Sequence, residues 1–214
     1  MDFAKARQNM LDGQLRPNKV TDAALLGAMG EVPREAFLPP AQRALAYADE
    51  DVPAAPGRWL LEPMVFARLV QAAEVGEGTR VLVVAAGVGY GAAVLARMGA
   101  RVVALEAPGD LAESLAARVS GATVAAGPVT AGWAAAAPYD VILIEGAVEH
   151  VPDALTGQLA EGGRLLAVLA SGRRGVLGRA VRRLKVSGTV TEVPLFDAGT
   201  PPLAEFRRAP AFVF

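Results

Sequence analysis

The sequence predicts an α/β fold in which helices alternate with the strands of a mostly parallel sheet. Strand and helix patterns alternate from residue 79 to residue 170. The run from Val81 to Ala96 is typical of a buried strand, a glycine turn and the start of a helix. The segment 140–144 is short and apolar, as expected of a central parallel strand that is buried on both faces. Short connections with right-handed crossovers then place helices on both faces of the sheet.

The first 75 residues predict an N-terminal helical and loop extension. Residues 2–15 and about 21–30 are expected to be helical, and the second helix has Thr21 or Asp22 as its N-cap. The segment 48–62 is polar and then rich in proline and glycine, so we expect a surface loop. Pro63 suits the first turn of a helix that runs to about residue 73.

The remaining residues predict a cofactor-binding core over 76–170 and antiparallel strands over 171–214, so that residues 1–214 form one domain. The strand candidates of the core are 80–85, 101–106, 122–126, 140–145 and 164–170, and its helix candidates are about 89–98, 108–119 and 152–160. Two further strand patterns, 176–186 and 189–196, flank Ser187-Gly188 and predict a tight hairpin. The last residues, 211–214, suggest a final strand.

Composition favours a globular, cytoplasmic protein that binds neither nucleic acid nor membrane. Apolar residues make up 53% of the 214, charged residues 20%, and the formal net charge is −1. The longest uncharged run, the 16 residues from Val81 to Ala96, is shorter than the ~20 that span a bilayer. The chain has no cysteine, which excludes disulfides, thiolate nucleophiles and cysteine-based metal sites. We expect no metal site, and the oligomeric state is left open.

A nucleotide site is predicted where the glycine turn meets the next strand. Gly87 and Gly89 follow the first strand of the core, and the second strand ends on Glu106, nineteen residues after Gly87. Glycines let the backbone approach a ligand closely, and an acid at that strand end can accept hydrogen bonds from both hydroxyls of a ribose. The sequence therefore predicts an adenosine-containing cofactor.

Several collinear motifs identify a family resemblance over nearly the whole chain. They are Met10-x3-Gln14-Leu-Arg-Pro17, Val32-Pro-Arg-Glu-x-Phe-x-Pro39, Ala46-Tyr-Ala-Asp49, Gly87-x-Gly89-Tyr-x-Ala-Ala-Val-Leu-Ala96, Gly132-Trp133 with Ala137-Pro-Tyr-Asp140, and Gln158-Leu-x-x-Gly-Gly-Arg-Leu165. In these motifs the chain resembles the protein-L-isoaspartate O-methyltransferase family.

The resemblance implies a Rossmann-like class I methyltransferase fold and S-adenosylmethionine as cofactor. It also implies methylation of the carboxylate of isoaspartyl residues in proteins or peptides. The ester then cyclises to a succinimide that partly reopens to aspartate, which repairs the damage. The carboxylate is already ionised at neutral pH because its pKa lies near ~4, so this reaction needs no general base. Catalysis reduces to alignment in a water-poor cleft.

The resemblance also assigns site residues by position. The predicted cofactor contacts are Ala85, Ala86, Gly87, Gly89, Glu106, Ala107, Pro128, Val129 and Glu145. The predicted substrate contacts are Leu60, Leu61, Glu62 and Pro63. No catalytic residue is assigned, because Leu61 stands where the family carries a serine beside the substrate carboxylate.

Other positions also depart from the family pattern. Val83 replaces an acid that in the family helps to fix the loop or the methionine amino group of the cofactor. Pro128 replaces an aspartate that would bond the adenine amino group, and Glu145 replaces a threonine. Ala85 replaces a glycine, which is tolerable if its φ stays negative. We therefore expect weakened cofactor binding and weak isoaspartyl methylation, with Leu61→Ser recovering part of the rate. Gly89→Leu is expected to leave the fold soluble and to block the cofactor.

Three further residues leave two interpretations open. His150 is the only histidine, and a lone loop histidine is more often structural than catalytic. Trp133 matches a family position and favours packing, whereas Trp59 could pack or stack on a ligand.

Two alternative functions remain at this point. The chain could be a catalytically silent or repurposed family member that binds cofactor or a partner. It could also be a nicotinamide-dependent oxidoreductase, because Gly87-x-Gly89-x-x-Ala92 fits the loose dinucleotide pattern. That pattern alone is weak, and the methyltransferase is the favoured interpretation.

Overall fold

A seven-stranded sheet organises the protein in the computed structural model, which describes residues 1–173 and 175–208. The strand order is β5-β4-β3-β6-β7-β8-β9. The first five of these strands are parallel, and β8 and β9 are antiparallel. Their bounds are Arg80–Val84 (β3), Arg101–Glu106 (β4), Ala122–Ala126 (β5), Tyr139–Val148 (β6), Leu159–Leu169 (β7), Gly178–Val186 (β8) and Thr189–Ala198 (β9). The predicted α/β class and the hairpin at Ser187-Gly188 are confirmed.

Six α-helices accompany the sheet in the described residues. Their bounds are Phe3–Met10 (α1), Ala23–Glu31 (α2), Pro63–Ala73 (α3), Tyr90–Arg97 (α4), Asp110–Arg118 (α5) and Asp153–Gly157 (α6). The predicted helix 2–15 continues beyond α1 as a π-helical turn over Leu11–Leu15. Asp22 caps α2 by accepting from the Leu25 N–H at 3.0 Å. The helix predicted over 152–160 is shorter, because β7 begins at Leu159.

The segment 48–62 is not the surface loop that we predicted. It contains a two-stranded antiparallel hairpin of β1 (Val52–Ala55) and β2 (Arg58–Leu60), closed at Pro56-Gly57. Val52 and Leu60 pair and are fully buried, so one face of the hairpin packs into the core. The prolines and the glycine that suggested a loop mark only its turn.

The core lies on both faces of the parallel strands because successive side chains point to opposite faces. Val81 and Val83 face the layer that contains the first five helices, whereas Leu82 and Val84 face the other layer. Val83 is therefore a buried packing residue. The predicted strand 211–214 lies outside the described residues. Within the part of the chain that is described, no helix combines the length and apolar character needed to cross a bilayer.

Candidate functional site

The glycine turn between β3 and α4 is tightly wound. Gly87 and Gly89 have φ of +57° and +93°, and the Gly89 N–H donates to the Ala86 carbonyl at 2.9 Å. Ala85 has φ of +55°. The condition under which alanine was tolerable here, a negative φ, is therefore not met: this alanine adopts the left-handed conformation for which glycine is suited, at a cost of roughly 1–2 kcal/mol.

Gly89 faces helix α5 rather than open space. A Cβ added there would lie 2.3 Å from Val119 Cγ2 and 2.5 Å from Leu115 Cδ1. The prediction that Gly89→Leu spares the fold is therefore wrong, because the new side chain would enter the packing between the turn and α5. The predicted block of the cofactor stays a prediction. Gly89 is required for packing as well as for its φ.

Glu106 lies at the end of β4, as predicted, but its carboxylate is already paired with Arg58. Arg58 Nε and Nη2 donate to Glu106 Oε2 and Oε1 at 2.9 and 2.7 Å. The N–H groups of Gly87 and Ala107 donate to the same two oxygens at 2.8 and 2.7 Å. The Arg58 and Glu106 side chains are only 6% and 1% exposed. Four donors thus surround a buried carboxylate.

Arg58 also has a second acidic partner. Its Nη2 donates to Glu205 Oε1 at 2.6 Å, and its Nη1 donates to the Gly57 carbonyl at 2.9 Å. Glu205 lies in the 3₁₀ turn Ala204–Phe206 near the end of the described residues. Although burial acts in the opposite direction, hydrogen bonds and charge from both glutamates raise the pKa of Arg58 above its usual value.

In this conformation the residues present do not accommodate a ribose. An ionised carboxylate offers about four acceptor positions, and here all four are used. The stem of Arg58 also covers the turn, since a Cβ added at Gly87 would lie 3.4 Å from Arg58 Cβ. The side chain of Arg58 therefore occupies the predicted ribose position.

Glu145 lies within β6, near the same carboxyl ends of the parallel strands. It points inward against α4, because a Cβ added at Gly91 would lie 1.6 Å from Glu145 Oε1 and 2.9 Å from Phe66 Cε2. The pKa of Glu145 is raised to about 8, mainly by burial and to a smaller extent by the negative charge of Glu106. Glu145 is therefore a partly buried carboxyl group beside the predicted cofactor position.

The loop after β5 brings Pro128 and Val129 to the same edge. Pro128 is exposed, and Val129 is buried in the second core layer. Trp133 packs against this loop, since a Cβ at Gly127 would lie 3.2 Å from its ring. The backbone N–H of Trp133 donates to Gln158 Oε1 at 2.8 Å, and its carbonyl accepts from the Tyr139 hydroxyl at 2.6 Å. Trp133 is a packing residue in this structure.

The predicted substrate segment is mostly buried. Leu60 and Leu61 are 3% and 4% exposed, and both belong to the main core. The Leu61 carbonyl accepts from Nη2 of the fully buried Arg34 at 2.8 Å. Leu61→Ser would thus remove core packing in addition to supplying a hydroxyl, at a cost of roughly 2–4 kcal/mol.

Glu62 is the polar member of this segment, and Pro63 begins α3. The Glu62 N–H donates to Asp51 Oδ1 at 2.9 Å. Burial, together with the charges of Asp49 and Asp51, raises the pKa of Glu62 to about 7. The neighbourhood is acidic and would repel an anionic substrate.

The two remaining candidates have no shown role in a site. His150 is half-buried in the loop after β6, and its Nδ1 is buried without a hydrogen-bond partner among the described residues. Trp59 is half-buried in β2, opposite Pro53.

Sequence reasoning missed Arg58 and Glu205. A signal existed for the hairpin, since Pro56-Gly57 between the apolar Val52 and Leu60 is a turn pattern. Nothing local indicated that Arg58 would meet an acid 48 residues away and another 147 residues away.

Comparisons with known proteins show the family. A sequence model of the protein-L-isoaspartate(D-aspartate) O-methyltransferase family matches residues 5–196. Among curated relatives, a protein-L-isoaspartate O-methyltransferase of Methylorubrum populi is 45% identical over 182 residues, which is 83% of this chain and 86% of the relative.

Solved structures support the fold. A protein-L-isoaspartate O-methyltransferase superposes with a TM-score of 0.78 at 23% identity, covering 92% of this chain and 65% of that one. A Plasmodium falciparum structure of the same designation, in complex with S-adenosyl-L-homocysteine, gives a TM-score of 0.76 at 18% identity, covering 96% and 99%. This chain thus spans slightly less than two thirds of the first of these proteins. It belongs to the protein-L-isoaspartate(D-aspartate) O-methyltransferase family.

Proposed function

We propose that this protein is an S-adenosylmethionine-dependent carboxyl O-methyltransferase that acts on isoaspartyl residues of proteins or peptides. The observation that carries the proposal is the family match over residues 5–196. It supports a methyltransferase over both a nicotinamide-dependent oxidoreductase and a silent family member. The glycine turn and Glu106 support it further, because they provide the backbone approach and the acid that a nucleoside needs.

The reaction asks little of the side chains. S-adenosylmethionine supplies the methyl group and its own leaving group, and the substrate carboxylate is already a nucleophile at neutral pH. The protein has to align the two and exclude water. We assign the cofactor to the carboxyl edge of the sheet, against Gly87, Glu106 and Ala107 after Arg58 has moved. The substrate is assigned to the side of Leu61 and Glu62.

The same residues predict a slow enzyme. Leu61 offers no hydrogen-bond donor to orient the substrate carboxylate, and the acidic neighbourhood of Glu62 disfavours an anion. Loss of one oriented donor costs on the order of 10²-fold in rate. We therefore expect turnover about 10²-fold below that of a family member with the serine. The proposal includes a cytoplasmic location, which cell fractionation tests.

A methyl-transfer assay tests the proposal directly. Purified protein is incubated with S-adenosylmethionine labelled in the methyl group and with one of two peptides that differ only in an isoaspartyl or an aspartyl linkage. The expected result is base-labile label on the isoaspartyl peptide alone. Equal labelling of both peptides would point to another carboxylate substrate, and S-adenosylhomocysteine binding without any transfer would point to a repurposed cleft.

A further inference from the structure

The strongest unexplained feature is the position of Arg58 in the cleft. Its guanidinium forms two parallel hydrogen bonds with both oxygens of Glu106, a geometry that is specific to arginine and carboxylate. Its stem lies against Gly87 in the turn. Arg58 therefore contacts both elements that the sequence assigns to the nucleoside.

A cavity lies on the outer side of this side chain. Its volume is about 510 Å³, within the usual size range of small-molecule sites. Arg58, Glu106, Ala107 and Glu205 contribute to its walls, whereas residues 85–89 do not. Arg58 thus stands between the cavity and the glycine turn.

Arg58 also has an acceptor to which it can move. Glu205 is 34% exposed at the rim of the cavity and already shares Nη2 with Glu106. A guanidinium that leaves Glu106 therefore keeps a charged partner nearer to solvent. The backbone donors of Gly87 and Ala107 remain on Glu106, so two of its four acceptor positions become free.

We infer that Arg58 is a displaceable plug of the ribose position, which cofactor has to move off Glu106 before it binds. This inference rests on the proposed function, since it concerns the same site. The pairing of Arg58 with Glu106 and the binding of a ribose at Glu106 exclude each other, because both use the same lone pairs. Part of the cofactor's binding free energy is consumed in moving the side chain.

Calorimetric titration with S-adenosyl-L-homocysteine tests the plug. Arg58→Gln is expected to bind at least about tenfold more tightly than wild type, which corresponds to about 1.4 kcal/mol. The control is Arg80→Gln, which breaks a similar bidentate pair with Asp140 at the amino ends of β3 and β6. That variant is expected to bind as wild type does.

Arg58→Lys guards against a folding defect in the first variant. It keeps the charge and most of the stem but loses the bidentate geometry, so we expect a smaller gain in affinity. In wild type, hydrogen exchange provides a second measurement. Ligand should increase exchange in the β1–β2 hairpin while protecting residues 85–89.

The outcomes separate the plug from the proposed function. Binding by Arg58→Gln but not by wild type supports the plug and counts against activity of the native chain. Equal affinity of folded wild type and Arg58→Gln overturns the plug and leaves the function standing. Absence of binding by wild type and by both Arg58 variants overturns both.

Discussion

Two glutamates lie near the carboxyl ends of the parallel strands, Glu106 as the last residue of β4 and Glu145 within β6, and their surroundings differ. Glu106 on β4 receives four donors, two of them from the guanidinium of Arg58. Glu145 on β6 packs against Gly91 and Phe66, and burial raises its pKa to about 8. The charge of Glu106 is thus compensated by hydrogen-bond donors, whereas burial disfavours a charge on Glu145.

The stability of the fold depends on the carboxylate of Glu106 and not on that of Glu145. Removing a charge whose partners are buried leaves those partners unsatisfied, whereas removing a charge that burial disfavours relieves a cost. Substitutions at the two positions should therefore change stability in opposite directions.

Glu106→Ala is expected to lower the free energy of unfolding by about 3–5 kcal/mol, as breaking a buried ion pair does. It leaves Arg58 and two backbone N–H groups without their acceptor. Urea unfolding monitored by circular dichroism measures the loss. A loss below about 1 kcal/mol would show that Glu205 alone satisfies Arg58, and the contrast between the two glutamates would disappear.

Glu145→Gln is expected to flatten the pH dependence of stability. The folded state keeps a proton on Glu145 up to about pH 8, whereas the usual value of 4.5 applies after unfolding. The stabilisation that Glu145 contributes is therefore fully present below its pKa in the unfolded chain. It is lost as the pH rises towards its pKa in the folded protein. The slope is at most about 1.4 kcal/mol per pH unit.

Urea titrations at several pH values from 5 to 9 compare Glu145→Gln with wild type. The variant should be the more stable protein at pH 9. A smaller slope should remain up to about pH 7, because the pKa of Glu62 is also raised, to about 7. Identical slopes for both proteins between pH 7 and pH 8 would show that Glu145 is ionised in the folded state.

Gly91→Ala is expected to destabilise the protein by about 1–3 kcal/mol, because the new methyl group would overlap Glu145 Oε1. Combining it with Glu145→Ala sharpens the comparison. The double variant should recover part of the loss if the carboxyl group is the obstacle. If nothing is recovered, Phe66 rather than Glu145 limits the space beside Gly91.

Ala85→Gly changes the residue that follows β3, the strand between β4 and β6. Glycine relieves the left-handed φ of +55° but gains entropy in the unfolded chain, so the net gain is about 0.5–1 kcal/mol. Thermal unfolding with Ala86→Gly as control measures it. A loss of stability in Ala85→Gly would show that the methyl group contributes more packing than strain.

Sequence alone predicted the sheet because its signals are local. Short apolar runs such as 140–144, bounded by turn residues, specify buried strands without knowledge of their neighbours. The glycine turn and the strand that ends on Glu106 were predicted for the same reason. The hairpin at Val52–Leu60 was missed because its prolines and glycine predicted a loop. The burial of Val52 and Leu60, which marks the hairpin, depends on packing against distant parts of the chain.

The state of the candidate site depended on contacts that no local pattern encodes. Glu106 was correctly placed at the end of β4, but its pairing with Arg58 is set by how the hairpin packs over the turn. The φ of Ala85 likewise follows from the path that the chain takes from β3 to Gly87. Gly89 fits both a ligand-approach and a packing interpretation, and only the position of α5 decides between them.

The contact between Arg58 and Glu205 joins parts of the chain that are 147 residues apart, so it has a consequence for biosynthesis. At about 5–20 residues per second, Glu205 is synthesised roughly 7–30 s after Arg58. Glu106 follows Arg58 after 48 residues, so only in the later part of that interval is the end of β4 available while the second carboxylate that holds the guanidinium is not. The pairing of Arg58 with Glu106 therefore has one supporting contact fewer in the nascent chain than in the finished protein.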